Sequence, residues 1–585
     1  MASHPLEIAA LHTAYRDASL QPADVLNGIY DRIEATPDDA IWIDLVPRAE
    51  ALAQLKSSES KSGAPLQGVP FAIKDNIDLA GVPTTAACKE FAYTPAVSAH
   101  VVQRLLSAGA IPVGKTNLDQ FATGLVGVRS PYGIPKNAYN PDYVPGGSSS
   151  GSAVAVAQGL CSFSLGTDTA GSGRIPAAFN RLVGLKPTKG LLSTRGVVPA
   201  CRSLDCVSIF ARTCADAAAV LAIVAGYDAE DPFSRPATPP TGAAAWPPRI
   251  GIPRPEQLEF FGDTESAALF ANAVSAWQRL GATLIEIDFD PFREAARLLY
   301  QGGWVAERYA AIRSFIEHRP EALHPVTRQI IEGARKLSAA DAFDSIYRLA
   351  ALRRRSEAVW GQIDFLLTPT AGTAYRVEDV VKNPLQLNTN LGYYTNYVNL
   401  LDLCALAIPA GVLSSQVGFG ITLLAPAFHD DRLLAWASRF LGEPTPAPAL
   451  VPAGPAEPMT RVAVCGAHLS GLPLNRQLLE RNARLVRATQ TAPVYRLFEL
   501  PGTTPPKPGL VRVKTGGAPI EVEVWELSVA HFGSFVAGIP EPLGIGRIHL
   551  ADGEVVQGFL CESVAVENAR DVTVFGGWRR FLAER

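Results

Sequence analysis

Residues 68–78 read GVPFAIKDNID. A short apolar run from Val69 to Ile73 ends on Lys74 and gives way at once to Asp75 and Asn76. An apolar run of this length, bounded by a glycine and by polar residues, fits a strand buried on both faces, with Lys74 closing it. The residues after it decide the fold. HVVQRLLSAGA (100–110) has helical spacing, IPVGK (111–115) is strand-like, SAVAVAQGL (152–160) is a helix of small residues, and CSFSLG (161–166) is again strand-like. Such alternation predicts an α/β fold with a mostly parallel or mixed sheet covered by helices on both faces. Ligand sites in open sheets of this class lie beyond strand ends, so the polar loops of this region are expected there.

The chain has 585 residues, more than one hydrophobic core usually organises, so at least two domains are expected. It is 48% hydrophobic and 18% charged with a formal net charge of −4, which gives no sign of a nucleic-acid-binding surface. Eight scattered cysteines, none in a C-x-x-C pair, fit reduced thiols, no zinc site and a cytoplasmic protein. The N-terminal stretch lacks the basic flank and long apolar run of a signal peptide. The longest apolar runs, such as LCALAIPAGVL (403–413), are too short for the roughly 20 residues of a membrane span.

Two proline-rich stretches, 231–248 and 443–458, are expected to be extended and loosely packed. The first is flanked by continuing helix and strand patterns and reads as an excursion within one domain. The second reads as a boundary, giving a domain over 1–442, a linker over 443–460 and a C-terminal domain over 461–585. In that last region RVAVCGA (461–467), EVEVWELSV, GRIHLADGEVVQGFL and DVTVF (571–575) suggest a small, strand-rich α+β unit.

Two serine-bearing loops raise a chemical question. PGGSSSGSA (145–153) spells G-x-S-x-G around Ser149, yet DYVPGG is a poor strand and histidine is scarce, so a hydrolase nucleophile elbow is a weak reading. Taken alone it is a Gly/Ser turn opening a helix, and Lys74 alone is a solvated strand-end lysine. GTDTAGSGRIPA (166–177) sets Ser172 between glycines with no histidine nearby to take its proton. A lysine amine can serve a serine as base when burial favours its neutral form.

The segments GVPFAIKDN, KTNLDQFATG, PGGSSSGSA, GTDTAGSGRIPAA and GLKPTKG occur in order and together resemble the amidase signature family. The resemblance implies a Ser-cisSer-Lys triad, with Ser172 as nucleophile, Ser148 as the bridging cis-serine and Lys74 as base. Ser148 and Ser172 lie 24 positions apart, as in the family, which selects Ser148 over Ser149 and Ser150. Proton transfer then runs from Ser172 through Ser148 to neutral Lys74 and back to the leaving ammonia. The small residues of DTAGSG allow the backbone N–H groups of Thr169, Ala170 and Gly171 to converge on an oxyanion. The family more often carries glycine where Ala170 stands. Asp168 and Arg174 read as residues that hold the loop.

The segment NLDQFATGLVGVRSPYG (117–133) and the added C-terminal domain resemble allophanate hydrolases within that family. The amidotransferase members that serve transamidosomes typically carry an acid where Gln120 stands. Allophanate is a urea bearing a carboxylate, and arginine suits such a planar anion. In LLYQGGWVAERYAAI (298–312), Tyr300 and Arg308 are eight residues apart, close to two helical turns, and are expected on one helix face. The resemblance makes Tyr300, Arg308 and the backbone of Gly124 substrate-binding groups. It further implies a tail with a fold similar to gamma-glutamylcyclotransferases, a homodimer, a functional link to a separate urea carboxylase, and no metal or organic cofactor. In the tail, His468 and Glu526 are the titratable candidates for assisting product breakdown, against a tail that only supports assembly. The rival readings are an amidase of another small amide, such as malonamate or an aryl amide, and a catalytically silent amidase-like subunit.

Overall fold

The computed structural model describes residues 6–36, 40–58, 63–450, 459–481 and 483–585. The chain forms two compact units, Met1–Pro452 and Ala453–Arg585. In the first, eleven strands make one mixed sheet flanked by helices. The apolar run of 68–78 is the strand Pro70–Lys74, every residue of it buried. It lies between two parallel neighbours, Ile111–Thr116 and Phe163–Asp168, with Ile73 opposite both Lys115 and Leu165. Three parallel strands therefore end side by side, and Lys74, Thr116 and Asp168 stand at that one edge.

Beyond Phe163–Asp168 the sheet turns antiparallel through Cys206–Ala211, Val183–Lys186, Leu403–Val412, Gly418–Pro426 and Phe365–Pro369. It returns to parallel pairing at Arg249–Pro253 and Thr283–Ile287. The small-residue helix Ser150–Ala157 is buried from its first residue to Val156. Its composition has a steric cause: a Cβ at Gly151 would overlap the carbonyl of Ile41. The loop Pro145–Ser149 that precedes it follows no strand, contrary to the expected strand-end placement, and enters the site as the lead-in to this helix.

The proline-rich stretch 231–248 has no regular secondary structure and lies within the first unit, where the Trp436 indole donates to the carbonyl of Ala245 (2.9 Å). Of the second stretch, 451–458 lie outside the described residues. Its described part begins as expected, 443–448 having no regular secondary structure and being exposed or half-buried, but Ala449 and Leu450 are buried, and their N–H groups donate to Asp431 (2.8 and 3.0 Å). Two backbone donors meeting one carboxylate dock this segment despite its prolines.

The second unit has a five-stranded sheet in the order Arg484–Gln490, Glu521–Ser528, Met459–Val464, Val555–Cys561, Leu543–His549, and a three-stranded sheet of Pro508–Arg512, Tyr495–Glu499 and Arg570–Asp571. Its core gathers Trp525, Trp578, Phe581 and Tyr495. The run DVTVF departs from the expected strand: only Asp571 pairs, and Thr573–Phe575 coil into a 3-10 turn. The Thr573 hydroxyl there accepts from the N–H of Leu497 (2.9 Å), a contact between segments 76 residues apart that ties the turn to the strand Tyr495–Glu499.

Substituting Gly151→Ala forces the buried helix away from Ile41. Urea unfolding of the variant is expected to show a loss of about 1–3 kcal/mol, the usual cost of overpacking a core.

Candidate active site

At the shared strand edge Lys74 is fully buried, and its Nζ donates to the hydroxyls of Ser148 (2.7 Å) and Thr167 (2.8 Å). No carboxylate lies within ion-pair distance of it among the described residues. Burial draws the Lys74 amine down to about 7; Asp119, Asp168 and Asp205 oppose that shift, and Arg308 adds to it. A neutral amine can accept a proton, so this lysine meets the requirement of a base near neutral pH.

Of the three consecutive serines only Ser148 reaches the lysine. Ser149 turns its hydroxyl to the carbonyl of Thr167 (3.1 Å), and Ser150 turns its own to that of Asn117 (3.5 Å). The G-x-S-x-G match around Ser149 thus has no nucleophile geometry. The Gly147–Ser148 peptide is cis. Ser172 is buried as well, and its hydroxyl donates to the carbonyl of Gly124 at 3.5 Å. No hydrogen bond joins Ser172 to Ser148.

The turn that carries Ser172 is clamped from below. Asp168 and Arg174, both fully buried, form a two-pronged ion pair (2.8 and 2.9 Å), and the same carboxylate accepts the N–H groups of Gly171 (2.8 Å) and Gly173 (3.0 Å). Burial alone would raise the Asp168 carboxyl; the Arg174 guanidinium and these donors outweigh it and hold it below the usual carboxylate range. Because the Gly171 N–H is engaged by Asp168, it is not free to bind an oxyanion, contrary to the sequence expectation. Among the described residues the N–H groups of Thr169, Ala170 and Ser172 have no intramolecular acceptor. The Thr169 hydroxyl donates to buried Asp205 (2.5 Å), which fixes the near side of the turn. On the far side a Cβ at Gly171 would overlap the Thr395 hydroxyl, which explains the glycine and its φ of +138°.

Tyr300 and Arg308 come together, but not on one helix. Tyr300 ends the helix Asp290–Gln301, Gly302 leaves helical geometry (φ −116°, ψ −166°), and Arg308 belongs to the next helix, Trp304–Ala311. The Gly302–Gly303 pair lets the chain bend so that the Arg308 guanidinium lies over the Tyr300 ring, 5.4 Å from its centroid. Arg308 is buried; Nη1 donates to the Thr123 hydroxyl (3.3 Å), whereas among the described residues no carboxylate pairs with it and Nε and Nη2 are buried without partners. Thr123 adjoins Gly124, so this cation lies close to Ser172.

Several residues at the site carried no sequence signal of their own. Thr167 is the second partner of Lys74. Asp119 accepts the N–H groups of Val126, Gly127 and Arg129 (3.2, 2.9 and 2.9 Å) and so shapes the loop after Gly124. Asn399 donates to the carbonyls of Asp168 (2.6 Å) and Leu204 (2.8 Å). Thr167 and Asp119 lie inside the quoted motifs among other polar residues, so nothing in the sequence singled them out.

In the second unit His468 lines a cavity of about 180 Å³ with Lys507, Gln477, Phe535 and Phe559. Its ring stacks on Phe559 (5.1 Å), and its Nε2–H donates to Gln477 (3.0 Å). Burial lowers the His468 imidazole below its ordinary range. Glu526 is not in this cavity. It is paired with Arg461 (3.5 Å) and Arg484 (3.0 Å), which stand directly opposite it on the two neighbouring strands. All eight cysteines are free and buried. Among the described residues there is no cluster of potential metal ligands, and no helix is long and apolar enough to cross a membrane.

Residues 24–434 match the family described as Amidase, and residues 460–583 match the allophanate hydrolase C-terminal domain. The urea amidolyase of Saccharomyces cerevisiae is 45% identical over 95% of this chain, and that of Lachancea kluyveri 42% over 94%. The chain spans about a third of the length of these two proteins, 32% of each. The allophanate hydrolase structure from Kluyveromyces lactis is 41% identical and covers the whole of both chains with a TM-score of 0.71.

A relay from Ser172 through Ser148 would tie the reactivity of Ser172 to the charge of Lys74. Modification of Ser172 by phenylmethanesulfonyl fluoride is expected to speed up about tenfold per pH unit up to about 7 and then level off, as the amine becomes neutral. Mass spectrometry of the labelled serine across pH reads this directly, and Lys74→Met should flatten the profile.

Proposed function

The chain belongs to the amidase family, and we propose that it hydrolyses allophanate as a step of urea degradation. The observation that carries this reading is Arg308, a buried cation with two unpartnered nitrogens beside the serine–lysine site. A guanidinium buried without a carboxylate costs several kcal/mol unless a ligand anion completes it. A small amide whose far end is a carboxylate satisfies both the cation and the serine. The likeness to the K. lactis allophanate hydrolase supports the same substrate.

In this mechanism the substrate carboxylate binds Arg308 and packs against Tyr300, which places the terminal amide carbonyl at Ser172. The Ser172 hydroxyl rotates from Gly124 toward Ser148 and attacks the carbonyl carbon, while its proton passes through the Ser148 hydroxyl to neutral Lys74. The developing oxyanion accepts from the free N–H groups of Thr169 and Ala170. The relay then returns the proton to the departing nitrogen, ammonia leaves, and an acyl-enzyme remains on Ser172. Water, deprotonated through the same relay, attacks the ester and releases N-carboxycarbamate. That product breaks down to carbon dioxide and ammonia. No step calls for a metal or an organic cofactor. A urea carboxylase is the functional partner that supplies the substrate, and a homodimer in the cytoplasm completes the proposal.

The C-terminal cavity extends this reading. Lys507 offers a cation for a carboxylate, and His468, held neutral by burial and positioned by Gln477, offers a proton acceptor for carbamate breakdown. Glu526 has no part in it.

Ammonia release from allophanate, malonamate and benzamide in parallel tests the proposal. Selective turnover of allophanate is expected, reduced about 10⁴-fold or more by Ser172→Ala. Arg308→Gln is expected to raise KM for allophanate about 10- to 100-fold through loss of a charge-assisted contact. Turnover of benzamide with allophanate ignored would overturn the substrate assignment and leave the serine–lysine chemistry standing.

A further inference from the structure

A second cavity of the first unit, about 440 Å³, opens beside the candidate site. Its wall includes Arg293, Arg297, Tyr300, Asn388, Tyr393 and Asn396, and no carboxylate lines it among the described residues. In a chain of net charge −4, a cavity lined by two arginines and no acid stands out. Two contacts join it to the site. Tyr300 is common to both, because its ring lies under the Arg308 guanidinium. Asn388 accepts the N–H of Leu125 (2.8 Å), the residue after Gly124, whose carbonyl meets the Ser172 hydroxyl.

The two arginines differ in what they have left to offer. Arg293 and Arg297 are one helical turn apart on Asp290–Gln301, so they share its cavity-facing side. Arg293 is committed to Asp290 (2.5 Å). Glu294, the acid between them in sequence, is spent on Arg348 and Arg355. Arg297 is exposed and has no ion pair or hydrogen bond among the described residues. An uncompensated charge at a low-dielectric concavity raises the local concentration of the opposite ion and speeds its capture.

We propose that this cavity is the antechamber through which small carboxylate-bearing amides reach Ser172, and that Arg297 is the specificity residue that draws them in. This rests on the anionic substrate read from Arg308 and adds a second cation, which acts on capture and not on the chemical step. The anion is handed from Arg297 past Tyr300 to Arg308. An uncharged amide gains nothing from Arg297.

The test is steady-state kinetics on the full chain with allophanate at 50 and 300 mM salt, together with calorimetric binding of malonate, a small dicarboxylate that needs no turnover. Arg297→Gln is expected to raise KM and weaken malonate binding about three- to tenfold, to leave kcat within about twofold, and to flatten the salt dependence. Arg297→Lys should restore the wild-type values, and a neutral amide such as malonamide should show no change in either variant. Unchanged KM and malonate affinity in Arg297→Gln, or an equal loss with malonamide, would overturn the proposal. If wild-type protein binds malonate through Arg297 yet leaves allophanate untouched, the antechamber stands and the allophanate reading falls.

Discussion

The amine of Lys74 is enclosed at the end of a buried strand with two hydroxyls and no carboxylate for partners. One strand away Lys115 is equally buried, but it has Asp75 at 3.2 Å. The contrast between these neighbouring lysines is the constraint on which the site depends. A buried ammonium paired with a carboxylate is a structural element, whereas a buried amine paired with hydroxyls is poised to exchange protons. The parallel pairing of Pro70–Lys74 with Phe163–Asp168 brings the Ser172 turn to the same edge, so sheet register sets the proposed base and the proposed nucleophile at one end of the sheet.

Holding Lys74 near neutrality demands that nearby negative charge be answered elsewhere. Asp168 is taken up by Arg174 and two backbone N–H groups, and Asp119 by three backbone N–H groups. Asp205 accepts from Thr169 and from the N–H groups of Ala200 and Cys201. Each carboxylate thereby shapes one wall of the site. The glycines follow from the same crowding: a Cβ at Gly147 would overlap Asp119, and one at Gly171 would overlap Thr395.

Much of this was legible in the sequence because it depends on local pattern. The apolar run before Lys74, the helix of small residues and the Gly-rich turn each state their own geometry. The features that stayed hidden depend on chain reversal and distant packing. Tyr300 and Arg308 were expected on one helix because eight residues make about two turns; the Gly302–Gly303 break changes the route but not the meeting. The engagement of the Gly171 N–H by Asp168 could not be read from DTAGSG, since spacing does not say which way a carboxylate folds. Asn399 and Thr395 reach the turn from more than 200 residues away. Glu526 lies apart from the His468 cavity because strand register sets Arg461 and Arg484 directly opposite it.

The charge state of Lys74 is the quantity to measure, by ¹³C NMR of protein labelled at the lysine ε-carbon, with the Lys74 resonance assigned by its loss in Lys74→Met. A titration midpoint near 7 is the expected result, since burial without a carboxylate disfavours the ammonium. A Lys74 amine that stays protonated up to pH 10 would contradict the proton relay and leave Ser172 without a base.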